Sequence, residues 1–133
     1  MTRDGLGLIE LIIAIGVLAI GILTASFCIF SLQDLGELAR EKESAVADAN
    51  RVLEAMRDSA NNSVAALRSA NWTTWATNNV ISSKGSSELV LNQENVTVTM
   101  GSGNPVPITL ILSWQHKQRP HAYRIVTLMT DRG

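Results

Sequence analysis

The chain has 133 residues and a mass of 14.4 kDa, which is enough for one small domain. Its net charge of −1 and pI near 6.1 give no electrostatic basis for binding nucleic acid. A single cysteine, Cys28, excludes an internal disulfide and a metal site built from paired cysteines. Apolar residues make up 46% of the chain and are concentrated near its beginning. These features favour a membrane-attached protein that works by assembly rather than by catalysis.

The first predicted element is a membrane-spanning helix. Residues 11–33 form 23 positions without a charge, and as a helix they extend about 35 Å, which is enough to cross the hydrocarbon core of a bilayer. Arg3 is the only cation before this segment, so the charge bias favours a cytoplasmic N-terminus with the rest of the chain outside. A cleaved signal peptide is the alternative, but its apolar core is normally only about 7–15 residues long.

Glu10 interrupts the apolar sequence at the start of this helix. A carboxylate in the middle of a membrane helix costs about 2.5–3.5 kcal/mol, and less near the interface. The next cation along the chain is Arg40, too far away in sequence to pair with it. A cut between Gly5 and Leu6 would create a positive α-amino group four residues before Glu10. Glu10 could then pair with the amino group of its own chain or of a neighbouring copy.

The sequence Gly5-Leu6-Gly7-Leu8-Ile9-Glu10 and the apolar helix behind it resemble the processing site of type IV pilins and type II secretion pseudopilins. The resemblance covers Gly5, Leu8, Ile9 and Glu10. It implies a prepilin leader over residues 1–5, cleavage by a prepilin peptidase after Gly5 and N-methylation of Leu6. It also implies that Glu10 forms a charge pair between subunits. The chain departs from the family pattern at Asp4, Leu6 and Gly7.

Within that family, residues 110–114 and 123–128, and the apolar stretch 19–23, resemble the I-type minor pseudopilins and PilV-like minor pilins. The resemblance implies a minor subunit, located near the tip of a type IV pilus or type II secretion pseudopilus. Its implied partners are the prepilin peptidase, sister subunits and, before assembly, inner-membrane lipid. The implied location is the bacterial inner membrane, with a periplasmic head, and afterwards the filament.

A second part of the same helix is predicted over residues 34–68. Apolar residues recur there at three- and four-residue spacing, as in Ala49, Leu53, Met56 and Ala60, which is typical of an amphipathic helix. No proline interrupts the chain before Pro105. The spacing therefore predicts one long spine, residues 6–33 in the membrane and residues 34–68 under the remainder of the head, 34–133.

Residues 69–87 are predicted as an irregular connection because they are rich in Asn, Ser, Ala and Thr. Trp72 and Trp75 stand in it at three-residue spacing. We expect them to pack a loop or short helical turn onto the sheet, and a contact with a partner subunit is the alternative function.

A β-sheet is predicted over residues 88–131. Residues 95–100, 107–114 and 122–129 show strand periodicity, and residues 88–91 form a short fourth candidate. An antiparallel β-meander of three or four strands would bury its apolar face against the helix. The predicted fold class is therefore α+β, a long N-terminal helical spine packed against a small antiparallel sheet, which also agrees with the family resemblance.

No enzyme, cofactor or metal site is predicted. His116 and His121 flank a basic turn without a set of cysteine or acidic ligands, so we expect them to be solvated turn residues. Acidic residues after Asp58 are too dispersed for a calcium site. Two other functions stay open: a single-pass membrane protein whose periplasmic head binds a ligand, and a filament-tip subunit that acts as an adhesin or captures DNA.

Overall fold

The computed structural model describes residues 3–130, with side chains from Gly7 onward. It begins with one long helix, α1, Arg3–Asn62. Two compact units divide the chain, Met1–Leu38 and Ala39–Gly133, and the division falls inside α1. The predicted membrane segment, residues 6–33, lies within the first unit, and most of the predicted amphipathic part, residues 34–68, lies within the second.

In the first unit, α1 has apolar side chains on every face. From Leu8 to Leu35 its large apolar side chains are 56–74% exposed. Within the described residues, this is the one helix long and apolar enough to cross a membrane, and nothing in the chain buries its apolar window. The prediction of a long apolar N-terminal helix compatible with one membrane span is confirmed.

In the second unit, α1 buries a narrow stripe of small and flexible side chains. The fully or almost fully buried residues recur every three or four positions: Ala45, Ala49, Val52, Met56 and Ala60. This spacing keeps them on one face of the helix. The stripe begins well inside the predicted amphipathic part, residues 34–68, since Leu35 near its start is 62% exposed.

The helix ends at Asn62, earlier than the predicted end near residue 68. Ser63 has an extended backbone, and its hydroxyl accepts a hydrogen bond from the N–H of Ala66, which caps a separate helix, α2, Val64–Ser69. Serine favours this capping position over a helix interior because its oxygen satisfies an N–H that has no partner within the helix. The spine is therefore broken at Ser63.

Residues 69–87 are more helical than predicted. Helix α3, Trp72–Ala76, runs into a π-helical segment, Thr77–Ile81. The side chain of Asn71 caps α3 by accepting a hydrogen bond from the N–H of Thr74. Burial stabilises these turns, since their buried residues lie four positions apart: Trp72, Ala76 and Val80. The prediction of an irregular connection was wrong for this part of it.

The sheet has three antiparallel strands in the order β1-β2-β3: β1, Asn95–Met100; β2, Val106–His116; β3, Arg119–Met129. The inward face of β2 is buried at every second residue, from Val106 to His116. Residues 88–91 do not form the fourth strand, because Leu89 and Val90 are both exposed and only Leu91 enters the core.

A two-residue turn, Lys117–Gln118, joins β2 to β3, and both turn residues have positive φ, 47° and 65°. This geometry is that of a type I′ turn, whose twist matches the twist of the flanking strands. The residues beside such a turn, His116 and Arg119, form a hydrogen-bonded pair, and the pairs alternate from there. Pro120 consequently lies at a non-hydrogen-bonded position, where its missing N–H costs no ladder bond.

One hydrophobic core joins the elements of the second unit. It contains the buried stripe of α1, the buried residues of α2 and α3, and the inward faces of the strands, with Ile108, Leu110 and Leu112 at its centre. The predicted α+β fold class, a long helix packed against an antiparallel sheet, is confirmed.

Candidate functional site

The candidate assembly segment is the part of α1 from residue 7 to residue 33. Its apolar surface surrounds the helix, so no face is left for water. A soluble monomer rarely exposes such a continuous apolar surface, and a surface of this kind marks contact with lipid or with other proteins. The segment therefore requires an apolar environment on all sides.

Glu10 is exposed near the beginning of this segment, and no described residue pairs with it. The backbones of Gly5 and Leu6, the predicted processing residues, lie in the first turns of α1, while their side chains fall outside the described part. Met1 and Thr2, the first residues of the predicted leader, also fall outside it. The i to i+4 relation between Leu6 and Glu10 in one helix places them one turn apart.

Three hydroxyl groups in the segment are satisfied within the helix itself. Thr24, Ser26 and Ser31 each donate a hydrogen bond to the carbonyl four residues earlier, at 2.8, 2.9 and 3.0 Å. This back-bonding removes most of the cost of placing a hydroxyl in hydrocarbon. The carboxylate of Glu10 has no such partner among the described residues, and it is the one acidic side chain between residues 7 and 33.

Trp72 is buried and Trp75 is half-buried. The indole N–H of Trp72 donates a 2.7 Å hydrogen bond to the carbonyl of Leu67, and the two indole rings lie 5.6 Å apart. Thr73, between them, accepts a hydrogen bond from the N–H of Val98 on β1. Both indoles therefore pack α3 onto the core, as expected, and a partner contact through them stays a prediction.

His116 is buried and paired with a carboxylate, so the prediction that it is a solvated turn residue was wrong. Its Nδ1 lies 2.9 Å from Oε1 of Glu41, and Oε2 of Glu41 accepts a 3.0 Å hydrogen bond from the indole N–H of Trp114. His121 is half-buried and stacks on Trp114 at 5.7 Å. The strand runs beyond its predicted end to His116, so the alternation that buries Trp114 also turns His116 inward.

A buried ionic cluster, Asp48, Lys84 and Glu94, joins three separate segments. Lys84 Nζ lies 2.7 Å from Oδ2 of Asp48 and 2.6 Å from Oε2 of Glu94. Burial, the largest cause, raises the pKa of Glu94 above its ordinary value, although the hydrogen bond from Lys84 opposes it. The residues are far apart in sequence and no spacing rule connects them, so the sequence analysis did not find this cluster.

Beside the cluster lies an exposed ion pair between Arg51 and Glu88. The hydrogen bond from Arg51, followed by that from the N–H of Gly85, holds the pKa of Glu88 below its ordinary value. Such exposed pairs contribute little to stability because water screens them. This pair orients the segment that contains Lys84 and adds no site of its own.

Comparison of the chain with protein-family models, with curated proteins and with solved structures finds no match in any of the three.

Proposed function

We propose that this protein is a minor pilin or pseudopilin: a structural subunit that a prepilin peptidase processes and that assembles into a type IV pilus or a type II secretion pseudopilus. The observation that carries the proposal is the apolar segment of α1, exposed on all faces, with one carboxylate, that of Glu10, which has no partner among the described residues. A simple membrane anchor has no use for that carboxylate, because it only adds a cost to insertion.

Cleavage after Gly5 supplies the missing partner for Glu10. The new amino group at Leu6 is positively charged at neutral pH. A pair between this group and Glu10 of a neighbouring subunit is more favourable than two separate charges in an apolar environment. A pair between two subunits fixes how far one helix is shifted along the next. Proteolysis in this scheme turns an inserted monomer into a subunit ready for assembly.

The head supports a structural role more than an enzymatic one. Its buried carboxylates and its buried histidine are paired with neighbouring side chains. The N-terminus lies on the cytoplasmic side, where Arg3 favours retention, and the head lies in the periplasm. We place the subunit near the filament tip on the basis of its resemblance to minor subunits.

Processing is tested by expressing the full chain with and without a prepilin peptidase and measuring the mass of the purified protein. We expect the peptidase to remove residues 1–5 and to add a methyl group to the new N-terminal Leu6. Gly5→Leu serves as the matched variant and should stay uncleaved in the same membranes. An unchanged mass of the wild-type chain in the presence of an active peptidase would contradict the proposal and favour a monomeric anchored protein.

Assembly is tested with Glu10→Val, which removes the carboxylate from the apolar segment. We expect normal membrane insertion and cleavage, but loss of the protein from filaments sheared from cells that contain the sister subunits. Glu54→Val is the control, since Glu54 is an exposed acidic residue of the same helix within the head. Incorporation of Glu10→Val at the level of the control would refute the role of Glu10.

A further inference from the structure

The buried cluster of Asp48, Lys84 and Glu94 is more deeply enclosed than a structural ion pair requires. The side chains of Asp48, Lys84 and Glu94 are only 4%, 2% and 1% exposed. The carbonyl of Leu89 is a third neighbour of Lys84 Nζ, at 3.2 Å. Oε1 of Glu94 is buried and accepts no hydrogen bond within the described residues. An amine and two carboxyl groups therefore meet with almost no solvent exposure, beside a surface pocket that Asp48 and Lys84 help to line.

The charges of this cluster do not balance when all three groups are ionised, since two carboxylates surround one ammonium. Uptake of one proton removes the excess, and burial favours taking it up on Glu94, whose pKa is raised. Arg51 lies 3.9 Å from Oδ1 of Asp48, so a second positive charge faces that carboxyl group. The neutral cluster then contains a carboxylic acid at Glu94, a carboxylate at Asp48 and the ammonium of Lys84 between them.

We propose that Lys84 and Glu94 condense to an intramolecular amide, an isopeptide bond, with Asp48 as the catalytic base. This modification site is independent of the proposed role in a filament and depends only on the head. A carboxylic acid is the form of a carboxyl group that an amine attacks, and a carboxylate is the form that accepts a proton, so the two acidic residues have different roles. The amine is already within 2.6 Å of one oxygen of the acid.

The step balances without any other reactant. Asp48 takes a proton from the ammonium of Lys84, and the lone pair of Nζ then attacks Cδ of Glu94 to form the C–N bond. The bond from Cδ to the hydroxyl oxygen of Glu94 breaks, and that oxygen takes one proton from the nitrogen as it leaves. One water molecule is released, Asp48 keeps the proton that it took from the ammonium, and nothing is oxidised or reduced.

The fold supplies what makes this condensation favourable. In water the reaction is opposed because both groups are hydrated and ionised, whereas a fixed pair that is almost fully buried gains from proximity and from the loss of most of that hydration. The bond would close a short loop between Lys84 and Glu94 and would fix the chain entering β1.

The test is a tryptic map of the wild-type full chain, purified from membranes in detergent and denatured before digestion. Unmodified chain gives two peptides, residues 69–84 and residues 85–117, because trypsin cuts after Lys84. We expect one uncut peptide, residues 69–117, lighter by the mass of one water molecule. Recovery of the two separate peptides at their unmodified masses would overturn the proposal. A branched peptide that joins Lys84 to residues 43–51 would also overturn it, because Asp48 would then be the acylated residue.

Two variants test the roles of the side chains. Lys84→Arg keeps the positive charge and the trypsin site but has no nucleophilic amine, so we expect the two separate peptides. Asp48→Asn keeps the shape of the side chain and removes the base, and we expect an at least tenfold lower bridged fraction. Native tryptophan fluorescence of each variant checks that the head is folded. A folded Asp48→Asn chain that is bridged as completely as wild type would refute the role of Asp48.

Discussion

The two parts of α1 differ in how their apolar side chains are arranged around the helix. Between residues 7 and 33 these side chains lie on every face and are all exposed, while from Ala45 to Ala60 they form one stripe that the sheet, α2 and α3 cover. Both parts belong to one continuous helix, so backbone conformation does not distinguish them.

The difference lies in what surrounds each part. A one-sided stripe requires one apolar partner, and the chain provides it from its own sheet. An apolar surface on all faces requires a partner on all faces, and the described chain provides none. Exposure of a leucine therefore has opposite meanings in the two parts: in the head it is tolerated, and in the apolar segment it indicates contact with lipid or with other subunits.

The largest expected effect comes from making the same substitution at a buried position of the head and at an exposed position of the apolar segment. Leu110→Ala should destabilise the head by about 2–5 kcal/mol, because it opens a cavity beside fully buried neighbours. Leu18→Ala makes the same chemical change at a position that is 63% exposed, and should leave head stability unchanged. Urea unfolding of the full chain in detergent, followed by tryptophan fluorescence, measures both. Equal destabilisation by the two variants would contradict the comparison.

The next effect compares two equally exposed positions in different surroundings. Leu18→Arg should reduce membrane insertion by about 2.5–3.5 kcal/mol, because it places a cation deep in hydrocarbon. Val90→Arg changes a head residue with nearly the same exposure, 65% against 63%, and should insert normally. Alkaline extraction of membranes separates inserted from released protein. Full insertion of Leu18→Arg would show that this segment does not cross the membrane.

A smaller effect is expected at the break of the helical spine. Ser63→Ala removes the hydroxyl that caps α2 and should cost about 0.5–2 kcal/mol of head stability. Ser87→Ala makes the same change at an exposed turn position and is the control. Thermal unfolding monitored by circular dichroism compares them. A Ser63→Ala chain as stable as the control would mean that the break does not depend on the cap.

The smallest effect concerns the exposed pair of Arg51 and Glu88. The pKa of Glu88 is lowered in the folded chain, so its contribution to stability is present above the ordinary carboxyl pKa and is lost as the pH falls through the folded-state value. Glu88→Gln should therefore be slightly less stable than wild type at neutral pH, and the difference should vanish in acid. Urea midpoints measured from pH 7 down to pH 3 give both curves. A stability difference between wild type and Glu88→Gln that grows as the pH falls would contradict this prediction.

Periodicity predicted most of the fold. The alternation of Ile108, Leu110, Leu112 and Trp114 identified β2, and the three- and four-residue spacing from Ala49 to Ala60 identified the buried stripe of α1. Both patterns repeat often enough to distinguish a strand from a helix. Residues 88–91 were too short for the same test, and of their three apolar side chains only that of Leu91 is buried.

Other features depend on contacts that the sequence does not encode locally. Helix α3 consists mostly of threonine and tryptophan, which have weak helix propensity. The one sequence signal for a helix here is the four-residue spacing of Trp72, Ala76 and Val80. The cluster of Asp48, Lys84 and Glu94 arises when a loop folds back onto α1, so it could not be predicted before the fold was known. Glu10 was found from sequence because an acid in an apolar run is conspicuous without any tertiary contact.

The position of Pro120 has a consequence for the solubility of the head. In the described sheet no strand follows β3, so the main-chain groups of Ala122, Arg124, Val126 and Leu128 that do not bond β2 face outward. An open edge of this kind invites pairing with strands of unfolded or foreign chains. Pro120 offers no N–H donor at this edge, and the charge of Arg124 interrupts its apolar side chains. These two residues remove no hydrogen bond between β2 and β3. They therefore protect the head against aggregation without weakening its own sheet.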